Sequence, residues 1–507
     1  MACRIFRRER RLGNGDLPGA AQMNLTRLAF SPIEWPPWLG ATASGQATGG
    51  MNKDDSSQFN RRDFLNSSAS GLAMAMAGGA VLELTPQALG QAEDAPKNDN
   101  TPPVTVGVIG CGVWGRELLK TLATIPNAPV VAVSDTYPAY LRRGLRGAPK
   151  AKGYPSHTEL LADENVQAVV VATPTHLHRE VALAALEAGK HVYCEAPMAH
   201  DIDDARAIAN AAQSALKLNF QVGLQTRSDP QRHFLIDFVR TGAMGKNALA
   251  KGQWHKKTSW RRVSPNAARQ KELNWRLDRK LSLGLIGEIG AHQVDVLGWF
   301  MNERPVSVTG FGSIIQWNDG RNVPDTIQTV FDYPSGARTM YDCTLANSFD
   351  ASYDMIYGSY AALMMRGARA WMFKEADSPL LGWEVYAKKN SFFGETGIAL
   401  VANATKLTNH NDDPNKDPEG TKPSRFHALE AFAKNCHKHQ VAVEDFEALF
   451  GDDDPEALAE HLAETNKNKL PYATDQDGFE SVVIAAKANE AINSGTRVEW
   501  NESEYSL

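Results

Sequence analysis

The chain has 507 residues, too many for one ordinary hydrophobic core, so two domains are the starting expectation. Its hydrophobic share of 43% and charged share of 22% are those of a soluble globular protein. A formal net charge of −6 offers no basic field for nucleic acid or anionic lipid, and a nucleic-acid partner is excluded from the expectations.

Residues 1–50 show no periodic pattern, and Met51 is the expected true start. Residues 51–92 read as a secretion signal: Asn60-Arg61-Arg62-Asp63-Phe64-Leu65 sets two adjacent arginines ahead of the uncharged run from Phe64 to Leu82. That run is too short and too dilute in apolar residues for a membrane span, and no span is expected once the signal is removed. Gly90-Gln91-Ala92 offers the small residues of a cleavage site. The arginine pair with Phe-Leu resembles the twin-arginine export signal, which implies a periplasmic protein exported already folded with its cofactor in place. Residues 93–103 form a polar, proline-containing linker.

From residue 104 the pattern changes. Val104-Thr105-Val106-Gly107-Val108-Ile109 is a β-branched run of the kind a buried parallel strand needs. It leads into Gly110-Cys111-Gly112-Val113-Trp114-Gly115 and then a helical stretch from Arg116 to Thr124. A GxGxxG sequence between a strand and a helix is specific where the bare motif is not. Gly110 permits the tight turn, Gly112 lets backbone approach a diphosphate, and Gly115 lets helix and strand pack closely. The helix N-terminus then offers unpaired N–H groups to phosphate. A second strand, Val130 to Ser134, ends at Asp135, whose carboxylate would accept hydrogen bonds from ribose hydroxyls and repel a 2′-phosphate. NAD is the expected cofactor; Arg142 and Arg143 keep NADP open.

Strand and helix continue to alternate through 168–172, 180–188, 191–194, 201–214 and 220–223, which predicts a doubly wound parallel sheet over 104–225. Ligands bind such sheets at the carboxyl ends of the strands, placing Thr173-Pro174 and Glu195-Ala196-Pro197 beside the cofactor.

Three segments together resemble the Gfo/Idh/MocA family of glucose–fructose oxidoreductase and inositol dehydrogenase. They are Gly110 to Gly115, Ala172-Thr173-Pro174-Thr175-His176-Leu177-His178, and Ala188-Gly189-Lys190-His191-Val192-Tyr193-Cys194-Glu195-Ala196-Pro197. The resemblance implies that Val113, Trp114 and His178 join the glycines, Asp135, Thr173, Pro174 and Glu195 to Pro197 around the cofactor. It also implies a second, α+β domain over 226–507 with an open, mainly antiparallel sheet. Val306–Phe311, Thr326–Tyr333 and Arg338–Cys343 do read as strands separated by turn signals such as Tyr333-Pro334-Ser335-Gly336. Phe479 to Ile492 has a helical apolar repeat, and relatives return such a helix to the nucleotide domain. The resemblance further implies an oxidoreductase acting on a sugar or polyol hydroxyl with tightly held cofactor, and a homo-oligomer.

Between these regions lies Gly287-Glu288-Ile289-Gly290-Ala291-His292-Gln293-Val294-Asp295. On an α-helix Glu288 and His292 share a face four apart, with Asp295 three further on, and a carboxylate beside an imidazole orients the ring and raises its basicity. By the resemblance His292 is the general base, Glu288 its neighbour where relatives have Asp, and Asp295 holds the helix or the ring in place. A core histidine satisfied by a helix carboxylate is the plainer alternative for such a pair. One departure stands out: the family's Glu-Lys-Pro is Glu195-Ala196-Pro197 here, so a catalytic lysine is missing. Lys256, Lys257, Arg276 or Arg279 would have to replace its charge, or the chemistry differs. Two functions compete: an NAD-dependent glycosidase working by oxidation and elimination, whose net reaction consumes no cofactor and so suits export, and a non-catalytic nucleotide- or sugar-binding protein, which Ala196 suggests.

Other features read as structural. The cysteines at 3, 111, 194, 343 and 436 have no CxxC spacing, and no metal site is expected. His176 and His178 fit a Thr-Pro turn ahead of a helix better than a metal. Cys436-His437-Lys438-His439 reads as exposed polar surface, as do the acid-rich stretches 412–417 and 444–454.

Overall fold

The computed structural model describes residues 101–264, 266–380, 389–392, 395–400, 421–451 and 454–507. The export-signal reading at 51–92 and the acid-rich stretch 412–417 lie outside them.

The nucleotide half alternates as its sequence pattern demands. It runs β1 (Val106–Ile109), α1 (Val113–Leu122), β2 (Val130–Ser134), α2 (Pro138–Gly147), β3 (Lys152–Tyr154), α3 (His157–Leu161) and β4 (Ala168–Val171). Then come α4 (His178–Glu187), β5 (His191–Cys194), α5 (Ile202–Ser214) and β6 (Phe220–Val222). The strands form one parallel sheet ordered β3-β2-β1-β4-β5-β6, with β1 paired to both β2 and β4. Helices cover both faces, so Val106, Val108, Val169, Val170 and Val192 are wholly buried, which is why these strands are continuous β-branched runs. Asp201 caps α5 by accepting the Asp204 amide at 2.8 Å. The short β3 carries too few apolar residues to announce itself; of its three residues only Tyr154 is buried.

Helix α6 (Pro230–Arg240) leads into β7 (Asn247–His255), followed by α7 (Ala267–Leu273) and α8 (Ala291–Met301). A meander follows: β8 (Ser307–Ser313), β9 (Thr326–Asp332), β10 (Arg338–Thr344), β11 (Ser352–Gly358), β12 (Ala361–Arg366) and β13 (Arg369–Lys374). Strands β14 (Lys389–Phe392) and β15 (Glu395–Leu400) extend its far edge. The chain closes with α9 (Ser424–Phe450), α10 (Pro455–Lys467), α11 (Asp475–Ser494) and β16 (Val498–Glu499). The second sheet is ordered β14-β15-β13-β12-β11-β7-β10-β9-β8-β16 and is antiparallel except where β7 runs parallel to β10. The fold is thus a Rossmann-type parallel sheet followed by an α/β domain built on a mostly antiparallel sheet.

Two helices return from the end of the chain to the nucleotide half. The expected one, α11, packs against α5, β6 and β8, joining the two sheets. The other corrects the sequence reading. Cys436 and His439, expected on exposed surface, are buried, because α9 lays a stripe of Ala428, Leu429, Phe432, Ala433 and Cys436 on the nucleotide half. Phe432 meets Tyr193 edge to face at 5.6 Å, and Gln221 Nε2 donates to the Ala428 carbonyl at 2.8 Å. The acid-rich stretch beyond is likewise not all surface, for Phe446 is buried within it.

Candidate active site

The glycine turn is built as a phosphate cradle. Gly110 has φ +101°, and a Cβ on Gly115 would stand 1.8 Å from the Gly110 carbonyl oxygen, so turn and helix can close only around hydrogen atoms. Helix α1 starts at Val113, earlier than the sequence pattern suggests, with Gly112 as its N-cap. No side chain there caps the first amides, and a Cβ added at Gly112 would meet no atom within 4 Å. Open space in front of unpaired N–H groups fits a diphosphate. Asp135 sits at the end of β2, accepting the Cys111 amide at 2.9 Å and the Tyr137 amide at 2.7 Å. Burial raises its pKa, opposed by those amides and by the charges of Arg269 and Arg116. Arg269, from α7, lies 4.5 Å from the Tyr137 ring centroid. Nothing in the sequence ties that arginine to Tyr137.

The loops at the carboxyl ends of β4 and β5 carry hydrogen-bonding atoms left for a ligand. Thr173 Oγ1 and Glu195 Oε1 are buried with no partner among the described residues. Such orphaned atoms fit the ribose hydroxyls and carboxamide of a dinucleotide. Burial pushes the Glu195 carboxyl up to about 7, against the pull of the Trp114 indole. Pro197 follows a cis peptide bond from Ala196. His178 is wedged between the carbonyls of Thr173 and Pro197, 3.1 Å from each, and burial lowers its pKa to about 4. Pro174 precedes the turn Thr175–Leu177 that starts α4. Among the described residues His200, Asp201 and Asp204 also come together, with Arg179 paired to Asp204 at 2.7 Å.

The expected Glu288–His292 contact is not made. Residues Ile286–Gly290 form a π-helical turn ahead of α8, so the spacing of four no longer puts the two side chains on one face. Glu288 turns instead to the nucleotide half. Its Oε1 accepts from Thr175 Oγ1 at 3.1 Å and Ser282 Oγ at 3.2 Å, and its Oε2 pairs with Arg276 Nε at 2.9 Å. Burial raises the Glu288 pKa; Arg276, Thr175 and Ser282 oppose it. Asp295 meets no imidazole either. Arg227 grips it from Nε at 3.0 Å and Nη2 at 2.8 Å, and reaches Asp477 of α11 from Nη1 at 2.9 Å. Asp295 therefore ties α8 to its neighbours, and burial still raises its pKa against Arg227. The half-buried His292 has no hydrogen-bond partner among the described residues, and burial alone lowers its pKa to about 4. It is a neutral imidazole with both nitrogens free. Sequence reasoning named Arg276 only as one of four cations, and it missed Thr175, Ser282 and Arg227 as partners; pairs this far apart in the chain leave no local signal.

Comparison with known proteins agrees with this layout. Residues 104–224 match the Gfo/Idh/MocA model described as the oxidoreductase family's NAD-binding Rossmann fold, and residues 255–500 match that family's C-terminal alpha/beta domain. An inositol 2-dehydrogenase of Saccharopolyspora erythraea is 30% identical over 210 residues, 41% of this chain and 56% of the relative. A levoglucosan dehydrogenase of Pseudarthrobacter phenanthrenivorans is 26% identical over 263 residues, 46% of this chain and 65% of the relative. The chain thus spans somewhat over half the length of these curated relatives. A solved levoglucosan dehydrogenase in complex with NADH and levoglucosan superposes with a TM-score of 0.58 at 18% identity, covering 79% of this chain and all of that one, a likeness of fold. With both family domains matched in order along one chain, this protein belongs to the Gfo/Idh/MocA oxidoreductase family and carries its NAD-binding Rossmann domain.

Proposed function

We propose that the protein is an exported oxidoreductase that oxidises a hydroxyl of a sugar or polyol and holds its NAD tightly. The observation that carries this reading is the bond from Thr175 to Glu288, which brings the segment bearing His292 against the carboxyl edge of the parallel sheet. The named relatives act on inositol and levoglucosan, both polyhydroxylated rings.

The chain's residues divide the work. Amides around Gly110 to Gly115 and the start of α1 hold the diphosphate, and Asp135 stands at the adenosine ribose. Thr173, Pro174 and Glu195 to Pro197 line the other end. Bound NAD supplies the hydride acceptor for the carbon bearing the substrate hydroxyl. His292 takes the hydroxyl proton on a free ring nitrogen, and its low pKa keeps that nitrogen unprotonated at neutral pH. Glu288 fixes Arg276 and the Thr175 loop.

Free nicotinamide nucleotide is scarce outside the cytoplasm, so an exported enzyme of this kind must leave with its cofactor and recycle it in place. Purified protein, once denatured, should release close to one NAD per chain, and a Lys-Lys replacement of Arg61 and Arg62 should strand it in the cytoplasm. Protein that carries no nucleotide and binds none on titration removes the oxidoreductase reading; unchanged export of the Lys-Lys variant removes the export reading.

A further inference from the structure

The loop after β5 offers only a methyl group at Ala196, yet a cation is tied to the neighbouring loop after β4 through Glu288 and Thr175. Arg276 is half exposed, its guanidinium 4.4 Å from the ring centroid of the buried Trp275. Its Nε is committed to Glu288, whose other oxygen is taken by Thr175 and Ser282. The anchor is thus rigid, with the carboxylate almost fully buried and the cation at the edge of water. Among the described residues Nη1 and Nη2 of Arg276 donate to nothing. Through Glu288, Arg276 is tied to Thr175, three residues before His178, whose ring lies 3.1 Å from the Pro197 carbonyl.

The other cations are placed differently. Arg279 spends Nε and Nη2 on the Asn322 carbonyl, at 3.2 and 2.7 Å. Lys256 and Lys257 are exposed, their backbone amides held by the Thr344 carbonyl and the Ser348 hydroxyl at one end of the second sheet.

We propose that Arg276 is the substrate-binding cation of this site: Glu288 anchors it by Nε, and its free Nη1 and Nη2 donate to adjacent oxygens of a polyhydroxylated ring, one of them the oxygen that is losing its proton. This rests on the oxidoreductase reading above. A guanidinium at working pH neither gives nor takes a proton, so Arg276 steadies negative charge on that oxygen while His292 accepts the proton. Two parallel donors suit vicinal hydroxyls, which a single ammonium cannot match in geometry.

The test uses the NAD-loaded full chain with myo-inositol, levoglucosan and glucose as probes. Arg276→Ala should lower kcat/KM about 100-fold, the scale of losing one preorganised donor to a developing oxyanion, while nucleotide content stays at the parent level. Millimolar free guanidinium ion should restore part of the rate and ammonium ion less. Arg276→Lys should recover part of it and acquire an alkaline limb as the new amine loses its proton, near the usual lysine pKa of about 10.4. Since Arg276→Ala strands the buried Glu288 charge, a fold-independent readout accompanies it. In the parent protein phenylglyoxal should modify Arg276 and stop turnover, and the turned-over sugar should protect it. With the parent active, an unaffected Arg276→Ala, or an Arg276 that is unmodified or unprotected, overturns the assignment and leaves the oxidoreductase reading standing. A parent that carries no nucleotide and turns over none of the probes removes both.

Discussion

Gly112→Val should fold as the parent does and come out of purification with less nucleotide than the parent. A Cβ at this position meets no protein atom within 4 Å, and the residue's φ of −61° suits any L-amino acid. The fold therefore has no reason to reject the side chain, and the melting temperature should stay within a few degrees of the parent stripped of its nucleotide. The bulk would project into the space before α1 where a diphosphate must approach the amides. On the usual overpacking cost of about 1–3 kcal/mol, NAD binding should weaken roughly 5- to 150-fold. Gly115→Ala is the contrasting variant: its methyl would lie 1.8 Å from the Gly110 carbonyl, so it should lose stability and nucleotide together. Released-nucleotide assays beside thermal melts separate the outcomes. A Gly112→Val protein still carrying a full complement of NAD would place the cofactor elsewhere.

The second large effect is expected at His292. His292→Ala should keep its nucleotide, since the ring bonds to no described residue and its loss orphans no partner. Turnover of the active sugar should fall about 100- to 10,000-fold, the range for a lost general base. The same assignment fixes an acid limb. The base must be unprotonated, and burial holds the His292 pKa at about 4, so kcat/KM should decline as pH falls through about 4, well below the range of a free imidazole. An acid limb near 6.5, or turnover unchanged by the substitution, would remove His292 from the reaction and favour a nucleotide-binding protein without this chemistry.

The nucleotide half was legible because its physics is local. Buried parallel strands must be β-branched runs such as Ala168–Val171, and a tight strand-to-helix bend must be glycine, so neighbouring residues carry the signal. The second domain was legible as strands β8 to β10, where turns separate alternating residues, and as the apolar repeat of helix α11. Parts of helix α9 were read as polar surface because alanine, asparagine and histidine make up much of its buried stripe, which gives little apolar signal over 27 residues. The site shows the same division. Residues 287 to 295 were found by their spacing and by the family resemblance, but their geometry was misjudged, because a π-helical turn at Ile286–Gly290 resets the face that a spacing of four implies. Arg276 and Glu288 are twelve apart, and Thr175 and Glu288 are 113 apart; such partners are chosen by tertiary closure and leave no periodicity to read.

Helix α9 has a consequence for how this molecule comes into being. Gln221 of the parallel sheet waits for a carbonyl 207 residues later, and Tyr193 for Phe432. A ribosome-bound chain that has finished β6 thus owns a dinucleotide motif without the wall that seals it. Closing so large a loop costs entropy before any contact repays it, so the nucleotide half matures only after synthesis of almost the whole polypeptide. Any fragment ending before Ser424 is then born with an uncovered greasy flank.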